Sequence, residues 1–119
     1  MRTYWVYILS SRPRGTLYIG VTNSLLSRIA LHRSGEASAF TSKYRVSSLV
    51  YFEAFGSIKQ AIQREKSLKR YRRQWKINLV EGRNPYWMDL YPALCALPEN
   101  MATCADRPAG LPTKPLDED

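Results

Sequence analysis

With 119 residues, 45% of them hydrophobic and 24% charged, the chain has room for one domain around one core, and no apolar run approaches the roughly 20 residues that cross a bilayer. Its formal net charge of +8 is unevenly spread: residues 1–94 carry 16 Lys or Arg against 5 Asp or Glu, and residues 95–119 carry 2 against 5. A domain this basic attracts polyanions, of which nucleic acid is the commonest in a cytosol, although charge alone also fits a merely soluble basic protein.

Thr3 to Leu9 (TYWVYIL) is rich in aromatic and β-branched residues and predicts a strand. Ser10 to Gly15 predicts a turn, and Thr16 to Val21 (TLYIGV) the returning strand of a hairpin. Thr22, Asn23 and Ser24 are N-cap candidates for a helix from Leu25 to about Arg33, ended by Ser34 and Gly35. Glu36 to Arg45 reads as irregular and polar, and Ser47 to Ala54 (SSLVYFEA) as a third strand. Gly56-Ser57 opens a basic helix from Ile58 to about Tyr71, and a second helix over Arg73 to Glu81 is closed by Gly82 and Asn84-Pro85. The order β-β-α-β-α-α predicts an α/β (α+β) domain, a three-stranded antiparallel sheet flanked by helices. We place that domain at residues 1–94 and a flexible, Pro-containing acidic tail at 95–119. The short apolar patch at the N-terminus lacks a signal-peptide cleavage site, so a cytosolic location is expected, with Cys95 and Cys104 reduced. Two cysteines and a single histidine do not supply a zinc site.

Polar residues on apolar stripes are the clues to chemistry. On the helix from Ile58, a turn of about 100° per residue puts Ala61, Ile62, Glu65, Leu68 and Lys69 on the side of Ile58. Glu65 is the only acid between Lys59 and Lys76, a span with eight Lys or Arg. An inward carboxylate needs compensation. It either forms a salt bridge with a neighbouring Lys or Arg, or holds a Mg²⁺ ion whose remaining ligands are waters and phosphate. On the first helix, Leu25, Arg28, Ile29 and His32 share a face. A sheet-facing Arg28 calls for an anion, and phosphate suits its planar fork. His32 either is a satisfied half-buried imidazole or moves a proton near neutrality. Alternation puts Trp5, Tyr7 and Leu9 on one face of the first strand, with Thr16, Tyr18 and Gly20 together on the second. Tyr7 and Tyr18 then become neighbours, and Gly20 leaves room for something to approach the sheet.

Together these positions resemble the GIY-YIG nuclease family, in its small single-domain bacterial branch. Trp5-Val6-Tyr7 stands at the first motif, with Trp in place of Gly, and Tyr18-Ile19-Gly20 matches the second in full. Arg28, His32 and Glu65 follow in the family order, and Lys43-Tyr44 and Asn84-Pro85-Tyr86-Trp87 also look like that branch. The resemblance covers roughly residues 3–90.

The resemblance implies a metal-dependent endonuclease that hydrolyses DNA phosphodiesters, is structure-selective, and takes part in repair or recombination. It implies that Glu65 holds Mg²⁺ or Mn²⁺, that Arg28 clamps the phosphate, and that Tyr7, supported by Tyr18, takes the proton from the attacking water with help from Lys43 or His32. A phenol ionises at about 10, so its pKa must be lowered or its proton relayed. Lys43, Lys66, Lys69, Arg70, Arg72 and Arg73 are candidates for the phosphate backbone, a contact that carries little sequence information. The alternatives are a nucleic-acid-binding module of the same fold without turnover, and a basic structural protein in which Glu65 only forms a salt bridge.

Overall fold

The most apolar segment of the chain takes the central place. In the computed structural model, which describes residues 3–96, β1 (Tyr4–Ser10) pairs antiparallel with β2 (Leu17–Thr22) on one side and β3 (Ser48–Phe55) on the other, giving the order β2-β1-β3. The helices are α1 (Leu25–Ser34), α2 (Ala39–Tyr44), α3 (Ile58–Arg70), α4 (Arg73–Arg83) and α5 (Tyr91–Cys95). From Trp5 to Ser10 every residue of β1 is buried, because both of its edges are paired and both of its faces are covered. This is the expected α+β sheet, with two short helices added to the expected order.

Alternation along β1 divides the core into two layers. Val6 and Ile8, with Ile19 and Tyr51, meet Ala61 and Leu68 of α3 and Ile77 and Val80 of α4. Trp5, Tyr7 and Leu9, with Leu49 and Phe52, meet Leu25 and Ile29 of α1 and Leu94 of α5. Trp5, at the motif position that differs from the family pattern, is core: its ring stands edge-on to Phe52 with centroids 5.7 Å apart. A bulge in β3, between the pairs Ile8–Tyr51 and Leu9–Leu49, breaks the alternation, so that Val50 and Tyr51 lie in the same layer.

Several sequence expectations change. The segment read as irregular contains α2, started by the Ser38 side chain, which accepts from the amides of Phe40 and Thr41, and ended by Arg45 in the left-handed region at φ 56°. At six residues it is too short for a periodic signal. Gly82 does not end α4, which continues to Arg83; the stop is Asn84, whose buried amide donates to the carbonyls of Val50 and Met88. Ile58 and Ile62, expected on the inner side of α3, are exposed, and only Ala61 and Leu68 of that stripe are buried. The helix is turned so that Arg64 reaches into the α3 layer instead.

The hairpin turn is tied to α4 by Arg14 and Glu81 at 2.8 Å and by Arg73, whose guanidinium donates to the carbonyls of Arg14 and Gly15. Cys95, placed by the sequence at the start of a tail, is the last residue of α5 and has a free thiol. Residues 97–119 of that expected tail, with Cys104, lie outside the described residues. No helix among the described residues is long and apolar enough to cross a membrane.

Candidate active site

The register of the hairpin sets the floor of the site. Tyr7 and Gly20 are directly opposed across β1 and β2. A Cβ on Gly20 would lie 2.6 Å from Cζ of Tyr7 and closer still to its hydroxyl. The space that Gly20 leaves open is therefore filled by the Tyr7 ring, which lies across the neighbouring strand with its hydroxyl at the centre of the site. Tyr18, two residues before Gly20 and on the same face, is half-buried with its ring 6.4 Å from that of Tyr7 and 5.1 Å from that of His32.

The hydroxyl of Tyr7 is 3.0 Å from Nε2 of His32, and Nδ1 of His32 is 3.0 Å from the hydroxyl of Thr41. Thr41 itself donates to the carbonyl of Ser38 at 3.2 Å, so its oxygen accepts from His32. The imidazole proton is thereby assigned to Nδ1, and Nε2 accepts from Tyr7. Burial, then the charge of Arg28, lowers the pKa of His32 below the ordinary value, which keeps the ring neutral and Nε2 free to accept. Burial, reinforced by Tyr18, pushes the Tyr7 phenol far above its ordinary value; Arg28 opposes this and Glu65 adds to it.

Arg28 lies on α1 and Glu65 on α3, and both bear on the Tyr7 phenol through their charge. Arg28 is not on the sheet-facing side: Leu25, Ile29 and His32 form the buried stripe of α1, and Arg28 at its border is exposed. A guanidinium there stays hydrated, which avoids the desolvation cost of an inward one. No hydrogen bond or ion pair to a described residue holds it. Glu65 is shielded, its side chain 15% exposed, and one oxygen lies 2.9 Å from Nζ of the largely exposed Lys69. The salt bridge considered for this residue thus exists, in a weak form. An i,i+4 pair with an exposed lysine contributes about 0.3–0.5 kcal/mol and yields readily to a divalent cation.

The remaining expected binding residues are spread widely. Lys66, Lys69, Arg70, Arg72 and Arg73 are exposed on α3 and at the start of α4, and Lys43 on α2 sits over the Tyr44 ring at 5.4 Å. Arg72 covers the ring of Trp75 at 5.4 Å. Arg73, expected to bind substrate, is instead committed to the hairpin turn.

One inward acid was not singled out in the sequence. Glu53 of β3 has a wholly buried carboxylate that accepts from Arg64 at 3.1 and 3.3 Å and from the hydroxyl of Tyr51. Burial, then Glu53, raises the pKa of Tyr51. Glu53 opposes Val6 in the register, so it belongs to the α3 layer, on the face away from Tyr7. Its signal, an acid inside an otherwise apolar strand, is visible in the sequence, but the bulge hides which face it takes.

Among the described residues no group of three or more His, Cys, Asp or Glu side chains converges. A single shielded carboxylate beside exposed cations suits a hard ion that keeps most of its waters and shares phosphate oxygens, and does not suit a cage of protein ligands.

A small α+β domain with Tyr7, Tyr18 and His32 in contact on one face of a three-stranded sheet defines the class, and comparison names it. The GIY-YIG catalytic domain matches residues 3–78, and the chain belongs to the GIY-YIG family, whose function is of nuclease type. It is 36% identical over 83 residues to a UPF0213 protein of Staphylococcus haemolyticus, covering 70% of this chain and 100% of that one. A UPF0213 protein of Staphylococcus aureus is 32% identical with the same coverage. The UPF0213 protein of Bacillus halodurans, solved in solution by NMR, is 30% identical, covers 73% of this chain and 92% of its own, and superposes with a TM-score of 0.47.

Proposed function

We propose that this protein is a divalent-metal-dependent endonuclease that hydrolyses phosphodiester bonds in DNA. The observation that carries the reading is the Tyr7 hydroxyl of β1, hydrogen-bonded to His32 of α1 beside the ring of Tyr18 on β2, with Arg28 of α1 and Glu65 of α3 both bearing on its pKa.

The exposed Arg28 binds the non-bridging oxygens of the scissile phosphate and offsets the charge that grows on them. Glu65 would hold Mg²⁺ or Mn²⁺ in place of Lys69, and the ion would supply Lewis acidity toward the phosphate and the leaving oxygen. The Tyr7 phenol is too weak an acid to work as a free phenolate. It takes the proton of the attacking water as it passes its own proton to His32 Nε2, so that no buried phenolate accumulates. Thr41 fixes the imidazole in the accepting tautomer. The water oxygen bonds to phosphorus, the bond to the leaving oxygen breaks, that oxygen takes a proton from solvent as His32 gives its own up to solvent, and the products are a phosphomonoester and a hydroxyl. Tyr18 walls the cleft beside both partners.

Lys66, Arg70 and Arg72 add backbone contacts that depend on salt and not on sequence. The targets are therefore structures rather than sequences, of the kind that repair and recombination present. The test is cleavage of branched and single-stranded DNA with Mg²⁺ or Mn²⁺ by the full chain and its Glu65→Ala variant. Loss of cleavage with retained binding in Glu65→Ala supports the assignment. Cleavage that survives the substitution refutes it, and binding without cleavage in either protein favours a non-catalytic binding module.

A further inference from the structure

A line of aromatic rings leads from the cleft to the surface. Tyr7 is buried and Tyr18 half-buried; the Phe40 ring lies 6.1 Å beyond Tyr18, tilted by 31°, and the Tyr44 ring 4.9 Å beyond Phe40. Phe40 and Tyr44 are 43% and 45% exposed, a high fraction for two rings on a six-residue helix. They are one turn apart and share a face of α2. Thr41, about a quarter-turn round that helix from the two rings, is buried and hydrogen-bonded to His32, so the contact that orients the imidazole also anchors the helix that carries them.

The surroundings select the occupant. Lys43 lies over Tyr44, Arg45 follows in the same turn, and both are exposed. Flat apolar faces beside separate cations match a nucleotide strand, which offers a base to the ring and a phosphate to the ammonium. A base held in a duplex has its faces covered and its edge turned to its partner, so only an unpaired base can use such rings.

We propose that Phe40 and Tyr44 form a stacking site for an unpaired nucleobase next to the scissile phosphate, which directs the enzyme to single-stranded segments. The site rests on the nuclease reading for its orientation relative to the cleft. It also explains why Tyr18 is left half-open, since Tyr18 joins the stacking rings to the reacting centre.

The test separates bases from phosphates. Binding of the full chain is measured with chelator present, so that no cleavage occurs, on three probes: a single-stranded oligodeoxynucleotide, an abasic strand with the same number of phosphates, and a blunt duplex. Phe40→Ala and Tyr44→Ala are each expected to weaken binding to the base-bearing single strand by roughly tenfold, and to leave the abasic strand and the duplex unchanged. Phe40→Trp keeps the affinity. A 2-aminopurine in the strand is quenched by the wild type and not by Phe40→Ala. Equal losses on the abasic strand would overturn the proposal in favour of a charge or folding effect. Unchanged affinity on all three probes would also overturn it, and would leave the rings to a protein partner. Because binding is read without turnover, failure of the stack leaves cleavage intact, and failure of the nuclease reading leaves the stacking measurement standing.

Discussion

Gly20 has no side chain because the ring of Tyr7 occupies the place where one would be. The pair joins the second family motif to the first through shape alone. Gly20→Ala must displace a ring held by the strand below and by His32 at 3.0 Å. Overpacking of this kind costs about 1–3 kcal/mol. The folded variant is expected to bind DNA as the wild type does, because the cations are untouched, while its turnover falls by roughly 10²-fold or more as the hydroxyl leaves its partner. Thermal unfolding and single-turnover cleavage, measured together, check both parts; wild-type turnover in a folded Gly20→Ala protein would remove Tyr7 from the reaction.

His32 gives the site a direction in pH. Its folded-state pKa is depressed, first by burial and then by Arg28. The neutral ring that accepts from Tyr7 is thus the form present at neutral pH, and activity is expected to fall only when the pH drops through a value below the usual 6.5 or so. Stability follows the same sign: the unfolded chain takes up the proton first, so the contribution of His32 is complete above that ordinary value and declines as the pH falls towards the folded one. A profile of cleavage rate against pH should lose its acid limb in His32→Gln, whose residual rate is low and flat there. An acid limb unchanged in that variant would assign the titration to another group.

How much of this was legible in the sequence depends on whether a feature repeats. Trp5, Tyr7 and Leu9 fall on one face because a strand alternates, and the same alternation on both arms of the hairpin makes neighbours of Tyr7 and Tyr18. Glu65 stood out as one acid among cations. Arg28 was placed on the wrong side because a ten-residue helix offers a border position that periodicity cannot tell from a buried one. α2 was missed because its anchors are a cap at Ser38 and a single buried hydroxyl at Thr41, neither of which makes a pattern. Glu53 was missed because the bulge near Val50 changes which face each residue of β3 takes. Local irregularities carried what the periodic signal could not.

Glu53 and Arg64 hold α3 to the sheet from the face opposite Tyr7. The carboxylate has no exposed surface, so removal of its cation, or of the carboxylate itself, leaves a polar group stranded in the core. Glu53→Ala or Arg64→Ala is expected to lower stability by about 3–5 kcal/mol. The double variant Glu53→Leu with Arg64→Met replaces both charged partners by apolar groups of similar size and should recover part of that loss, the remainder being the Tyr51 hydroxyl left without its acceptor. Denaturant titrations of the four proteins give the coupling directly. A double variant no more stable than either single one would show that the pair is not the anchor of α3.

The exposed Arg28 lowers the pKa of both Tyr7 and His32, and in the proposed mechanism it clamps the phosphate. Arg28→Ala is expected to leave stability within about 0.5 kcal/mol of the wild type, as for other exposed positions. It should reduce turnover by on the order of 10²-fold and affect KM less, because the phosphate gains charge in the transition state. Arg28→Lys restores charge without the fork and should recover only part of the rate. A rise in KM alone, with kcat unchanged, would reduce Arg28 to a ground-state contact.

In the proposed mechanism Lys69 and a divalent ion would compete for the Glu65 carboxylate. Lys69 is 54% exposed and one turn from Glu65, so the wild-type pair is weak and partly solvated, yet it has to open before an ion can bind. Lys69→Met removes the competitor and keeps the aliphatic stem over α3. The expected result is a lower Mg²⁺ concentration for half-maximal cleavage, by a few-fold, since an exposed pair contributes no more than about 1 kcal/mol. Maximal turnover at saturating Mg²⁺ should be unchanged, and DNA affinity without metal should fall slightly through the loss of one positive charge. Titration of cleavage rate against Mg²⁺ in both proteins decides the matter: a requirement for more metal in Lys69→Met would mean that Lys69 supports the ion's site instead of contesting it.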